Sequence, residues 1–265
     1  MLPEFTNHLL ASGRSPGTVA QRVMHVDHLQ QIHPDLSAVT TADLEAFLAA
    51  RRTTHRAETR KTMRASFRVY FAWALRAGLH ETDPARDLLP IRIPVTVPRL
   101  APDDDIQRAL IGAPLRETGM ILLGRLACLR LSELATLQLR HRERDVLRIL
   151  GKGEKQRLVY LNDALLPVLD RLEEEANGSP WFFPGRFEGH VHPQSAHKII
   201  QRRTGWNPHS LRHAGATAAY RATGDLRAVQ EMLGHASMAT TQRYLHLDES
   251  ARRAVAAGTA FLRAA

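Results

Sequence analysis

Apolar residues recur at spacings of three and four through the first third of the chain, and each run begins or ends on a residue suited to a helix terminus. Ser15-Pro16 starts one such run, with proline in the first turn and Val19, Val23 and Val26 along a single stripe. A second helix is predicted near Thr41, where Asp43 complements the positive end of the helix dipole and Leu44, Phe47 and Leu48 form the buried side. Met63, Phe67, Phe71 and Ala74 keep the helical period through a third helix, from about Ala57 to Ala77, which Gly78 can close. The pattern predicts a small helical domain over residues 1–82. Pro84, Pro90, Pro94, Pro98 and Pro102 follow; proline lacks a backbone donor and fixes its own φ, so residues 83–102 are expected to form an extended linker.

A second domain is predicted over residues 103–265. Asp103 to Asp105 open a helix with acidic side chains at its positive end, and a longer helical stretch runs from Arg116 to about Leu129. At Asp145 the period changes to two. DVLRILG and RLVYLN flank the turn GKGEK, a β-hairpin in which Gly151 and Gly153 supply the turn dihedrals and Lys152 sits at the tip. An amphipathic helix is expected from Asp163 to Ala176, and the adjacent Trp181, Phe182 and Phe183 favour burial over stacking on bases. Ser250 to Leu262 is alanine-rich and reads as a last helix, with Val255 and Phe261 available to pack. The fold class is mainly α with a small antiparallel β-sheet in the C-terminal domain, an α+β arrangement.

Composition narrows the partners. A chain of 265 residues is long enough for one large or two ordinary domains whose cores need no staples. Its 36 Lys and Arg against 27 Asp and Glu give a net charge of +9, the footprint of a nucleic-acid binder, although a membrane-surface protein can look the same. No apolar run approaches the roughly 18 residues of a spanning helix, and Glu4 and Asn7 interrupt any signal-peptide core. The single cysteine, Cys128, excludes an internal disulfide and suits a reducing cytoplasm. Charge concentrates between Arg51 and Arg76, which hold eight basic residues and one acid, Glu58. There Arg60, Arg64 and Arg68 stand at i, i+4 and i+8 and repel one another unless an anion lies alongside. They read as a surface for the DNA backbone rather than as a solvated helix face.

The candidate chemistry lies between Pro208 and Tyr244, where His209, Arg212, His235 and Tyr244 follow one another at gaps of 3, 23 and 9 residues. A phosphodiester is an anion, so a nucleophile reaches it only where fixed positive charge and hydrogen-bond donors neutralise its oxygens in the transition state. Arg212 offers a permanently charged planar fork to such oxygens, and His209 lies one turn away on the same helical face. Tyr244 is the candidate nucleophile; a phenol of pKa about 10 needs a base or cationic surroundings to attack at neutral pH, and the two histidines are the candidates for that help. His190, His192 and His197 invite a metal reading, but no cysteine pair lies nearby, and HSLRH lacks the glutamate of the HExxH zinc motif. No metal or other cofactor is expected.

This box, with SLRH, LGH and RYLH around it, resembles the catalytic box of the tyrosine recombinases, the strand-exchange enzymes that include phage integrases and the bacterial Xer proteins. Two further stretches carry the resemblance. CLRLSELATL is similar to the family's first arginine motif, with Cys128 where glycine is usual, and implies that Arg130 is the second half of the phosphate clamp. Glu133 would then hold His209 or an arginine in place. GKGEKQR matches the family's GKGxKxR and implies that Lys152 protonates the leaving 5′ oxygen, with Lys155 and Arg157 expected only as backbone contacts. His235 would hydrogen-bond the phosphate.

Taken whole, the resemblance implies a helical core-binding domain and a catalytic domain placed on opposite faces of DNA, with Tyr244 forming a 3′-phosphotyrosyl bond. It implies a homotetramer on synapsed double-stranded DNA with inverted-repeat core sites, strand exchange through a Holliday junction, and a monomer or weak oligomer when free. The tail after Tyr244 would dock on a neighbouring subunit. With no arm-binding domain ahead of the core-binding one, a Xer-like enzyme or a simplified phage or plasmid integrase is expected, working on the nucleoid in the bacterial cytoplasm. A type IB topoisomerase, which relaxes supercoils by the same covalent chemistry, and a noncatalytic DNA-binding regulator are the rival readings.

Overall fold

The computed structural model describes residues 1–94, 99–151, 156–187 and 189–234. The chain divides into two compact units, Met1–Thr96 and Val97–Ala265. The first contains helices α1 (Leu2–Ala11), α2 (Pro16–Gln30), α3 (Thr41–Ala50) and α4 (Ala57–Arg76), with a short 3-10 turn at Leu36–Ala38. α3 starts where it does because the Thr40 hydroxyl accepts from the Asp43 N–H while the Asp43 carboxylate accepts from the Thr40 N–H, a reciprocal cap. Apolar faces meet in one core that includes Phe5, Leu9, Val26, Leu29, Leu44, Phe67 and Phe71. Phe5 meets Tyr70 edge to face at 5.1 Å, and Phe47 meets Phe67 the same way at 5.3 Å. α1 was not anticipated, because its buried face rests on only Phe5 and Leu9, too few positions to show a period.

The proline-rich stretch is not all linker. Ala85 and Leu88 are buried in the first core, the Thr41 hydroxyl donates to the Pro84 carbonyl at 2.9 Å, and Arg64 Nε donates to the Leu88 carbonyl at 3.0 Å. At the other end Ala101 is buried in the second core. Prolines fix the route of the backbone there, but the small and apolar residues between them still bury where a surface is offered.

The second unit contains α5 (Asp103–Leu110), α6 (Leu115–Arg125) and α7 (Leu131–Ala135), then strands β1 (Arg142–Glu143), β2 (Val146–Leu150) and β3 (Gln156–Tyr160), and then α8 (Leu166–Glu174), α9 (Pro193–Thr204), α10 (Pro208–Thr223) and α11 (Leu226–Leu233). The sheet is antiparallel in the order β1-β2-β3, with Leu147 opposite Val159 and Ile149 opposite Arg157. The two strands of the expected hairpin are therefore present and paired, with an unanticipated two-residue strand beside them; residues 152–155 of its turn lie outside the described residues. Leu147, Ile149 and Val159 join Met120, Ile121, Leu123, Phe182 and Phe183 in the core. α9 was also missed, since only Ala196, Ile200 and Thr204 of its residues are buried.

α6 stops at Arg125, short of the expected Leu129. Cys128 takes φ 51°, the left-handed region that ends a helix and that a side chain enters at a cost, which is the reason glycine suits this position in the resembling motif. α10 then crosses the end of α6 at Gly215, where a Cβ would fall 2.0 Å from the Arg125 carbonyl oxygen and 2.6 Å from Cys128 Sγ. No helix among the described residues is long and apolar enough to cross a membrane. The expected helix over Ser250 to Leu262 lies outside the described residues.

Candidate active site

The turn that ends α6 delivers Arg130 to the start of α7. Its backbone N–H donates to Glu133 Oε2 at 2.8 Å and its Nη1 donates to Oε1 at 2.7 Å, so the carboxylate at once caps the helix and holds the side chain. Arg157, on the side of β3 that faces inward with Val159, donates to the same two oxygens through Nη1 at 2.8 Å and Nη2 at 2.7 Å. Arg212, on α10, brings Nη1 to 3.9 Å from Glu133 Oε2. One carboxylate thus lies among three guanidinium groups, and of the two partners expected for Glu133 it holds the arginines.

The same three side chains meet the end of α11. The last carbonyls of a helix have no intrahelical partner and carry its negative end. Here Arg157 Nε donates to the Met232 carbonyl at 2.9 Å, Arg212 Nη2 to Leu233 at 2.7 Å and Arg130 Nη2 to Gly234 at 2.9 Å. Arg212 Nη1 also donates to the carbonyl of Cys128. Helix α11 ends at Gly234, with φ +61°, and His235 is the next residue in the chain.

Among the described residues, three positive charges stand against one negative on this cluster, an excess of two. Burial works against ionisation of Glu133, but the hydrogen bonds from Arg157 and Arg130 and the charge of Arg157 outweigh it and hold the carboxyl down at about 2. Burial, reinforced by Arg130, brings Arg212 down to about 10, against the attraction of Glu133. It remains a cation at neutral pH. Arg212 is only 2% exposed, whereas 37% of the Arg130 side chain faces solvent, so Arg130 is the open edge of the cluster. Cys128 is buried and its thiol is pushed up to about 11 by that burial, which keeps it protonated and removes it as a nucleophile.

His209 is exposed in the first turn of α10, one turn before Arg212, and its ring meets that of His213 at 4.0 Å. Asn207 caps this helix by accepting from the Ser210 N–H at 2.9 Å, which fixes where His209 and Arg212 stand. The structure therefore brings together Arg130, Glu133 and Arg212 from the expected set, with His209 on the same helix as Arg212. Lys152, Lys155, His235 and Tyr244 lie outside the described residues. Arg157 is a correction: expected as a contact to the DNA backbone, it is 9% exposed in its side chain and engaged by Glu133 and Met232. Its signal in the sequence was the parity of a strand, since residues two apart share a face and Val159 is buried.

On the first unit, Arg68 is exposed, Arg60 is half-buried and Arg64 is drawn inward by the Leu88 carbonyl. The row of three arginines is therefore less uniform than the spacing suggested. Of the histidines elsewhere, His192 caps α9 by accepting from the Gln194 N–H at 3.2 Å, and His190 packs against Trp181. Among the described residues no group of three or more His, Cys, Asp or Glu side chains is placed to hold a metal ion.

Residues 105–251 match the Phage integrase family, and residues 2–78 match its N-terminal SAM-like domain. The chain belongs to the phage integrase family. Among family members, tyrosine recombinase XerC of Xanthomonas campestris is 34% identical over 234 residues, covering 81% of this chain and 72% of that protein. XerC of Chromobacterium violaceum is 33% identical over 270 residues, covering 92% and 89%. The fold is that of the phage integrase family too: a lambda integrase dimer bound to a core site superposes with a TM-score of 0.74 at 18% identity, covering all of this chain and 79% of that one. The helical first unit and the mainly helical second unit with its three-stranded sheet are the two parts of that fold, and the protein is a tyrosine-type site-specific recombinase of the Xer-like kind.

Proposed function

We propose that the arginine cluster is the cradle of the scissile phosphate and that Tyr244 attacks there. The observation that carries this reading is the convergence of three guanidinium groups on the one carboxylate of Glu133, with Arg130 open to solvent and Arg212 adding its charge from the buried side. Guanidinium groups held this close repel one another and are stabilised by an anion brought alongside. Donors preset for developing negative charge are each worth on the order of 10²–10³ in rate.

In the reaction, the Tyr244 oxygen bonds to phosphorus while the bond from phosphorus to the 5′ oxygen breaks. The phenolic proton passes to His209 or His235, and the 5′ oxygen leaves with its electron pair and takes a proton from Lys152. The product is a 3′-phosphotyrosyl bond and a free 5′ hydroxyl. Because the ester is conserved, a 5′ hydroxyl from a partner strand can reverse the step, so exchange needs no nucleotide. Exchanging two duplexes cuts four strands in pairs through a Holliday junction, which calls for four nucleophiles and hence a homotetramer. Two protomers related by a twofold axis on each duplex call for inverted-repeat core sites. Arg60 and Arg68, with Lys155, supply backbone contacts to that DNA. Acting on such DNA places the protein in the bacterial cytoplasm, with the nucleoid.

The test is a nicked suicide duplex carrying a candidate core site, from which the 5′ product diffuses away. The wild type is expected to accumulate a protease-sensitive protein–DNA adduct and Tyr244→Phe to bind without forming one. Equal behaviour of the two in binding, cleavage and recombination would instead make the protein a noncatalytic regulator.

A further inference from the structure

Arg157 closes the motif GKGEKQR, whose two lysines are expected to act on DNA, yet its own donors point into the protein. Both of its Nη atoms bond the Glu133 carboxylate, at 2.8 and 2.7 Å, and Nε bonds the Met232 carbonyl at 2.9 Å. An independent observation shows how closely it is built in. A Cβ at Gly234 would fall 2.9 Å from Arg157 Cδ and 3.1 Å from its Nη1, so the arginine packs directly against the glycine that caps α11. One guanidinium thus joins three elements: β3, which carries it; α7, through Glu133; and the C-terminus of α11, through Met232 and Gly234.

We propose that Arg157 is a positioning residue for phosphoryl transfer, presetting Arg130 and Arg212 rather than touching DNA. The inference rests on the reading of the cluster as the phosphate cradle. Glu133 is the acceptor that Arg130 uses for both its backbone N–H and its Nη1. With Arg157 in place, the carboxylate has donors on both oxygens from the far side and cannot turn. Without it, one end of the α11 carbonyl row loses its donor, while Arg130 and Arg212 still pull on Gly234 and Leu233. The two gripping arginines then settle toward those carbonyls rather than toward the phosphate. A surface contact to DNA would require an exposed guanidinium with donors to offer outward, and this side chain is 9% exposed. Lysine cannot replace it, because a single ammonium cannot make the parallel pair of bonds to the carboxylate and still reach Met232.

The full-length protein with Arg157→Met or Arg157→Lys is tested on the suicide duplex, with DNA binding measured across a salt series. Affinity and salt slope are expected to stay within about twofold of wild type. Single-turnover adduct formation is expected to fall by about tenfold or more in both variants, as for the loss of preset donors. A second substrate replaces the scissile 5′ oxygen with sulfur, whose thiolate leaves without a proton because thiols ionise near pH 8.5. It is expected to restore cleavage by Lys152→Ala but not by Arg157→Met, since the arginine acts on the phosphate grip and not on the leaving group.

Adduct formation at the wild-type rate in Arg157→Met would overturn the inference. So would a salt slope lowered by about one with chemistry intact, the signature of a phosphate contact, or rescue of Arg157→Met by the sulfur substrate. If neither substitution at Arg157 folds, Arg157→Gln, which keeps one donor for Glu133 without the charge, is expected to give the same loss of rate with binding retained; an unchanged rate there would also overturn it. Failure of the wild type to form any adduct would fail the phosphate-cradle reading instead, so the two failures are distinguishable.

Discussion

The largest fully buried side chains of the N-terminal unit are Phe5, Phe67, Tyr70 and Phe71, whereas the C-terminal unit buries, besides Phe182 and Phe183 of its apolar core, the guanidinium of Arg212. The first centre is apolar apart from His25 and Ser66, which bond each other at 2.9 Å, and most of it is held by contacts that a well-packed hydrophobic group of similar volume could supply. The second contains three ionised groups that burial alone would expel, Glu133, Arg157 and Arg212, with Arg130 at its open edge; they persist because each carboxylate oxygen and each of three helix-end carbonyls is matched to a guanidinium donor. The difference separates a part built to be stable from a part built to hold charge in place. In the first, removing a side chain leaves a void; in the second, it leaves its former partners charged and unmatched.

Glu133→Ala breaks the charged centre most severely. It leaves Arg130, Arg157 and Arg212 facing one another, and is expected to lower unfolding free energy by about 3–5 kcal/mol and to abolish adduct formation. Glu133→Leu combined with Arg157→Met sharpens the point: denaturant unfolding should recover most of that stability while cleavage stays lost, because an apolar pair can replace a buried ion pair in stability only. If the double variant cleaved normally, the cluster would be structural and the contrast between the two centres would disappear.

Phe67→Ala tests the other side. The residue is fully buried in the first core, and its truncation should cost about 3–5 kcal/mol in denaturant unfolding. The rate of adduct formation by the folded, DNA-bound protein should not change. A slowed chemical step in that variant would show that the apolar core does more than stabilise.

These contrasts also explain what could be read from the chain. Helices α2, α3 and α4 were legible because Val19, Val26, Phe47, Met63 and Phe67 repeat at the helical period and their ends carry proline, a cap or glycine. Arg130 and Arg212 were legible as residue types in a spaced motif. The hub at Glu133 was legible only in part, because its partner Arg157 is 24 residues away in sequence, and the Arg130 bond to Gly234 spans 104. Periodicity reports which face an element buries; it does not report which distant donor will meet which carbonyl. Likewise the prolines predicted an extended linker over residues 83–102, but residues 84–87 make a turn and Ala85 and Leu88 bury in a core that only the folded helices form.

Acid separates the two centres with a smaller effect. The Glu133 carboxyl ordinarily titrates at 4.5 and is held at about 2 in the fold. Its contribution is therefore fully present above pH 4.5 and is lost as pH falls toward 2, where the unfolded chain takes up the proton first. Denaturant midpoints measured through that window should fall more steeply for wild type than for Glu133→Gln; parallel curves would mean the carboxylate is not held as described. The smallest effect is expected at the exposed Arg68, where alanine should change stability by less than about 0.5 kcal/mol and lower the salt slope of DNA binding by about one.

The central claim is that the cationic cluster serves an attack by Tyr244 on a DNA phosphate. Mass spectrometry of the proteolysed adduct from a suicide duplex tests it most directly. The prediction is a nucleotide esterified to the Tyr244 peptide in the wild type, with the DNA still bound but the ester absent in Arg130→Ala. A stable complex on the cognate duplex with no modified Tyr244 peptide would contradict it.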